Sequence, residues 1–202
     1  MSSMTILMIG LMFFIMAGLM TLLMVIVHAI KSNGNKQHAK IQIVFPAINW
    51  MIKVLLRLGI PMTILGPMKL LTVRGRKTGI LRTVPVDFYE YAGQRFLIAT
   101  HGLGNWVYNL RTEGEGSLSL GRSHQTFTAF ELPPEEAGPV IKEVLGPLFA
   151  SPGMRGSILR RHFGVTADSS LNDFTNAARS HPVFRISSSE VLSSQPQVTQ
   201  IN

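Results

Sequence analysis

Segment 74–82 sets Arg74, Arg76, Lys77 and Arg82 around Gly75, Thr78 and Gly79. Four cations, a hydroxyl and two glycines at this spacing are the ingredients of an anion site. Glycines let the chain turn so that successive N–H groups face one cluster of oxygens. Arg and Lys add charge-assisted hydrogen bonds to phosphate or carboxylate. The segment is not a Walker loop, because the Gly-x4-Gly-Lys-Ser/Thr spacing is missing and no helix is predicted after it. On residue types alone a solvated basic turn stands beside the anion site, whereas a plain hairpin turn would need only the glycines.

A second cluster, Thr100-His101-Gly102-Leu103-Gly104-Asn105-Trp106, joins a predicted strand to a predicted helix. Glycine permits close backbone approach to a flat ligand, and a helix N-terminus favours electron-rich atoms. His101 is the candidate proton or hydrogen-bond donor near neutral pH. Trp106 and Leu110 lie one helical turn apart and also read as core. His38, His124, His162 and His181 show no metal-ligand spacing, so no metal is assigned. The chain has no cysteine, which excludes disulfides, Cys-ligated zinc, iron–sulfur clusters and a thiol nucleophile.

The elements that must position these clusters emerge from periodicity and punctuation. Pro46–Leu58 reads as a basic amphipathic helix, with Asn49, Lys53 and Arg57 opposite Ile48, Ile52, Leu55 and Leu56, and with Gly59 and Pro61 to stop it. Its apolar stripe covers a core or lies on a membrane interface. Strands are predicted at Leu70–Arg74, Arg82–Tyr91 and Arg95–Thr100, with Ala92-Gly93-Gln94 as a tight hairpin, which makes an antiparallel meander. Asn105 is expected to cap a helix reaching Arg111, with further strands at Ser117–Leu120 and Gln125–Leu132. A helix opens at Pro133-Pro134-Glu135-Glu136 and runs toward Phe149, its acids suiting the dipole. A short helix at Leu171–Arg179 and a closing strand at Val183–Ile186 complete the order.

The N-terminal 30 residues carry no Lys, Arg, Asp or Glu, so the formal charge of +8 belongs entirely to residues 31–202. Ile6–Ile30 is long enough as a helix to cross a bilayer core of about 30 Å. It lacks the basic n-region of a cleavable signal peptide, and a buried soluble helix seldom runs this far without a charge. Lys31, Lys36 and Lys40 come directly after it, and the positive-inside rule then keeps the remaining domain cytoplasmic. The expected organisation is a transmembrane anchor at 1–31, a linker at 32–44, one domain at 45–187 and a disordered Ser- and Gln-rich tail at 188–202. The expected location is the cell membrane, single-pass, with the bilayer itself as a partner. A sequence pI of about 10.3 attracts anions of any class. The cations gather at one loop without the interleaved aromatics of a single-strand binder, so no nucleic-acid partner is expected.

Three segments carry a resemblance to a known family: Leu70-Leu71-Thr72-Val73-Arg74-Gly75-Arg76-Lys77-Thr78-Gly79, Arg82-Thr83-Val84-Pro85-Val86 and Gly104-Asn105-Trp106-Val107-Tyr108-Asn109-Leu110. In order and spacing they resemble the deazaflavin-dependent nitroreductase and quinone reductase family. The resemblance covers roughly residues 45–187, including Gly59-Ile60-Pro61 and His181-Pro182-Val183-Phe184-Arg185. It implies an α+β protein with a split β-barrel, flavin-reductase-like and antiparallel, with flanking helices. It implies coenzyme F420, a deazaflavin with a phosphodiester and a polyglutamate tail, and hydride transfer to a quinone-like or other conjugated lipophilic acceptor. The family's phosphate-binding loop falls on Arg76, Lys77 and Thr78, with Arg82 and Pro85 beside it. Its stretch against the deazaflavin ring falls on Ala99, Thr100, His101 and Gly102, and its helix start on Asn105, Trp106 and Asn109. Where some members have a Ser-Lys pair this chain has Thr100-His101, and it lacks their C-terminal tyrosine cluster. The same fold holding FMN, and a non-catalytic tethered domain binding anionic lipid or nucleic acid, are the alternatives.

Overall fold

A computed structural model describes Gly18, residues 49–60 and residues 66–188. Chain contacts divide it into two compact units, Met1–Met51 and Ile52–Asn202. The expected membrane anchor, the linker and nearly all of the tail lie outside the described residues. Among the described residues no helix is long and apolar enough to cross a membrane.

Helix α1 spans 49–57. It buries Ile52, Leu55 and Leu56, so in the second unit the apolar stripe covers core. Its C-terminal turn meets the loop at Gly121, whose N–H donates to the Leu56 carbonyl at 2.8 Å.

Six strands come next: β1 (Met68–Arg74), β2 (Leu81–Tyr91), β3 (Gln94–Ile98), β4 (Glu115–Leu120), β5 (Ser123–Glu131) and β6 (Val183–Ser188). They close into an antiparallel barrel in the order β1-β2-β3-β6-β5-β4. The expected antiparallel barrel with flanking helices is therefore present. The turn between β2 and β3 is two residues long, not three: Tyr91 pairs with Gln94, and Ala92 and Gly93 both take positive φ, 50° and 73°. That is the twist a right-handed ribbon favours at a tight hairpin.

Alternation along the strands makes two cores. Leu71, Val73, Val86, Phe88, Leu97, Phe127 and Phe184 fill the barrel, which helix α2 (Asn105–Glu113) enters with Val107 and Leu110. On the outer wall Tyr89, Phe96, Ile98 and Val183 pack against helices α3 (Pro134–Ala150), α4 (Met154–Phe163) and α5 (Leu171–Ala178). Each fully buried large side chain contributes about 1.5–3 kcal/mol through removal from water.

Several expected boundaries move. Strand β3 stops at Ile98: the Ala99 N–H still donates to the Pro182 carbonyl on the β6 side, but proline has no N–H to return the bond, and the Thr100 N–H turns back to the Ile98 carbonyl. Gly104, not Asn105, caps α2, and it does so without a side-chain hydrogen bond. The helix continues past Arg111 to Glu113, where Gly114 at φ 68° ends it. Strand β5 stops at Glu131, one residue short of Leu132, and the short helix α5 stops at Ala178 rather than Arg179.

Helix α4 was not expected at all. Its burial rests on Gly156, Leu159 and Phe163, a short stripe that includes glycine, a poor helix former. Packing explains the glycine: a Cβ there would sit 2.4 Å from both the Leu148 and Ser151 carbonyl oxygens.

Candidate active site

The connection from β1 to β2 is a compact loop. The Gly75 N–H donates to the Ile80 carbonyl at 2.9 Å, and the Thr78 and Gly79 N–H groups return to the Gly75 carbonyl at 3.1 and 2.7 Å. Gly79 takes φ 67°, the left-handed region that a side chain disfavours. Folded this way, Arg76, Lys77 and Thr78 are exposed.

Helix α2 fixes the loop from the other side. The Asn109 side chain is buried at 5 % exposure, and its Oδ1 accepts from the Arg76 N–H at 3.3 Å and from Arg76 Nη1 at 2.9 Å. The Arg76 guanidinium also lies over the Tyr108 ring, 5.1 Å from its centroid. An ion pair from Arg111 to Glu131, with Nε to Oε2 at 2.6 Å, holds α2 to β5.

Between loop and helix lies a cavity of about 400 Å³. Arg76, Lys77, Thr78, Arg82, Asn105, Trp106 and Asn109 line it, together with Gly75, Val73 and Val84. Seven sequence-predicted residues thus come together although the two segments are almost thirty positions apart in the chain. Arg76, Lys77 and Arg82 have no carboxylate partner among the described residues. Trp106 serves both readings made of it: it lines the cavity and packs on the barrel core, its ring 5.8 Å from Phe184.

Pro85, Ala99, Thr100, His101 and Gly102 do not line this cavity. Arg82 and Val84 share one face of β2, and the two-residue period sends Pro85 to the other, half-buried opposite Leu70. Ala99 faces the barrel core, and Gly102 sits in the turn leading to α2, its N–H on the Ala99 carbonyl at 2.8 Å.

Thr100 is buried, and its hydroxyl donates to Asp87 Oδ2 in a short hydrogen bond. The Thr100 hydroxyl oxygen also lies 3.0 Å from His101 Nδ1. The exposed His101 ring meets the His162 ring edge-on at 5.3 Å between centroids. Behind them His181, stacked on Phe163, sets Nδ1 2.9 Å from the Ala99 carbonyl oxygen and Nε2 3.0 Å from that of His162. Arg155 Nη2 donates to the Tyr89 hydroxyl at 2.9 Å. No group of side chains with metal-binding geometry forms among the described residues.

Asp87, Arg155 and the pairing of His101 with His162 were not visible in the sequence. Asp87 sits in a strand whose pattern reads as plain alternation, and Arg155 and His162 come from the unexpected α4. Alternation puts Asp87 with Tyr89 on the face opposite Val86 and Phe88, where a carboxylate reads as solvated, so no local signal marked it.

Burial pushes the Asp87 carboxyl above its ordinary value of 3.8, while the Thr100 hydroxyl and the charges of Arg155 and His101 pull the other way. Burial lowers His101, against a raising influence from Asp87 and with His162 and His181 lowering it further. Burial also holds the Tyr89 hydroxyl well above its usual range. A carboxyl with a raised native pKa contributes stability that is complete below 3.8 and is lost as pH rises through the native value. Asp87→Asn removes that loss while keeping an acceptor for Thr100. Thermal melts at about pH 5 and about pH 8 should show a smaller fall for the variant than for the parent. Parallel falls would mean that Asp87 ionises in the native protein as freely as in the unfolded chain.

Residues 55–144 match the model of the F420H(2)-dependent quinone reductase family. The match takes in the loop, the cavity and the histidine turn, and it supports that family. The chain is an F420-dependent oxidoreductase. Among solved structures this oxidoreductase is similar to an F420-H2-dependent reductase, FDR-A, at 22% identity over 60% of this chain and 94% of that one, with a TM-score of 0.34. It is also similar to a FAD-binding protein from Mesorhizobium loti, at 16% identity over 59% and 78%, with a TM-score of 0.35. At such scores neither likeness decides the activity. No curated protein matches the chain.

Proposed function

We propose that this oxidoreductase passes hydride from reduced F420 to a lipophilic quinone-like acceptor at the membrane. The observation that carries the reading is the cavity, where Arg76, Lys77 and Arg82 stand without a carboxylate partner among the described residues. An unneutralised trio beside a glycine turn suits a phosphodiester and a polyanionic tail, so the residues present fit this cofactor. F420, when bound, supplies the hydride.

The chain's own residues do the rest. Arg76, Lys77, Thr78 and Arg82 hold the tail, with Pro85 behind them in β2. Asn105, Trp106 and Asn109 form the opposite wall, and the Ala99–Gly102 backbone with Thr100 orients the ring. His101 supplies a proton to the acceptor oxygen. A quinone acceptor agrees with the matched family model. The apolar segment Ile6–Ile30 supports the membrane location, with the domain on the cytoplasmic side.

His101→Ala tests the assignment of the donor. A general acid acts mainly in the transition state, so kcat should fall about tenfold or more while the Kd for F420 stays within about twofold. Turnover unchanged across about pH 5 to 8 would reduce His101 to a structural residue.

A further inference from the structure

Strand β2 turns Asp87 and Tyr89 outward, away from the barrel interior that receives Val86 and Phe88. The register pairs Asp87 with Ile98, and Thr100 lies two residues beyond Ile98. Thr100 therefore arrives beside the carboxyl, buried at 4 % exposure, with its hydroxyl between Asp87 Oδ2 and His101 Nδ1.

A hydroxyl has one hydrogen, and it cannot be given to both neighbours at once. With Asp87 ionised, Thr100 donates to the carboxylate. His101 then donates its Nδ1–H to the Thr100 oxygen, which leaves Nε2 bare. With Asp87 protonated, the carboxyl donates to Thr100 and the Thr100 hydroxyl donates to Nδ1. His101 then carries its hydrogen on Nε2. That nitrogen has no hydrogen-bond partner among the described residues, and the ring is exposed.

We infer that Asp87 is a positioning residue which, through Thr100, sets the tautomer of His101 and resupplies its proton during quinone reduction. The inference rests on the reading of His101 as the donor. In the step itself Nε2 gives its proton to the oxygen anion of the reduced acceptor. Nδ1 takes the Thr100 hydroxyl proton, and the Thr100 oxygen takes the proton of the Asp87 carboxyl. The products are the neutral hydroxyl of the acceptor, an Asp87 carboxylate and a neutral His101 protonated at Nδ1. Water returns one proton to Nε2, and the chain runs backward to reload Asp87.

The surroundings suit this task. Burial raises Asp87, which keeps a proton on it further toward neutrality than a surface carboxyl would. Burial lowers His101, so the ring is neutral over more of that range and its tautomer is the quantity that matters. The charged and titratable groups facing the pair are Arg155 and His162 from α4, His181 from the turn before β6, and Tyr89 on β2.

The test is the tautomer of His101 in the full-length protein without cofactor, read by long-range proton–nitrogen correlation on histidine-labelled samples. The signal is assigned by its loss in His101→Gln. In the parent it should pass from the Nε2–H to the Nδ1–H form as pH rises through the Asp87 titration. In Asp87→Asn, whose amide can donate to Thr100 but never ionises, it should stay Nε2–H. The same variant should lose about tenfold or more in kcat, with F420 affinity within about twofold and a flattened pH profile. Thr100→Ser keeps the hydroxyl and should keep the pH-dependent tautomer change of His101, whereas Thr100→Val should lose it, so the test survives if Asp87→Asn does not fold. A His101 tautomer and pH profile in Asp87→Asn and Thr100→Val that match the parent's would overturn the relay. Unchanged turnover in His101→Ala would instead overturn the donor reading, and the catalytic part of the relay with it.

Discussion

Lys77→Ala should weaken F420 binding by about 1.5–3 kcal/mol, roughly 10- to 150-fold, the usual scale for hydrogen bonds to charged groups. Lys77 lines the cavity, is exposed, and has no ion-pair partner among the described residues, so no described carboxylate competes for it. Exposure also means screening, and the loss should approach the lower figure as salt rises toward physiological strength. Arg76→Ala should cost a similar amount for a partly different reason. Its guanidinium is already held by Asn109 and lies over Tyr108, which spares the entropy of fixing a long side chain on binding. Removing it loses the charge and also unties the loop from α2. Asn109→Ala helps to separate the two contributions, because it leaves the charge while removing the tether and one contact of the cavity wall. Its loss should be the smallest of the three. Titration followed by deazaflavin fluorescence at low and moderate salt measures all three. Variants at Arg76 and Lys77 that bind as tightly as the parent at low ionic strength would place the tail elsewhere.

Deleting residues 1–31 should slow reduction of a long-chain quinone in vesicles by about a hundredfold, while a short-chain soluble quinone is reduced nearly as before. An isoprenoid tail confines the acceptor to the bilayer. A tether confines the enzyme to the same surface, and the raised effective concentration needs no new contact. The apolar stripe of α1 is not available as a second anchor, since Ile52, Leu55 and Leu56 are buried. In the proposed anchored state α1 contributes its cations, Lys53 and Arg57, and basic residues at an anionic surface contribute about 1 kcal/mol each. Vesicles without anionic lipid should therefore slow the full-length protein less than the deletion does. Equal losses on both quinones would assign residues 1–31 a role in folding, and equal retention would make the membrane an address only.

Much of this protein was determined locally, and for that reason it could be read from the sequence. The loop 75–79 needs its glycines and cations wherever the rest of the chain goes. The strands announce themselves by alternation, whereas the glycine that ends α2 and the reciprocal cap of α5 by Ser170 and Asp173 came only with the structure. That α2 would close over the basic loop was legible only through the resemblance, since no local rule ties Asn109 to Arg76. Tertiary structure decided the second half of the site. Whether Thr100 meets a ligand or a buried carboxylate depends on where β3 ends and on the register that sets Asp87 opposite Ile98. A slip of β3 by one residue would turn Thr100 to the other face, away from Asp87. Helix α4 brings Arg155 and His162 to the same place only because Gly156 lets its backbone touch the end of α3. A weak local preference of that kind is overridden by packing, and packing is a property of the whole chain.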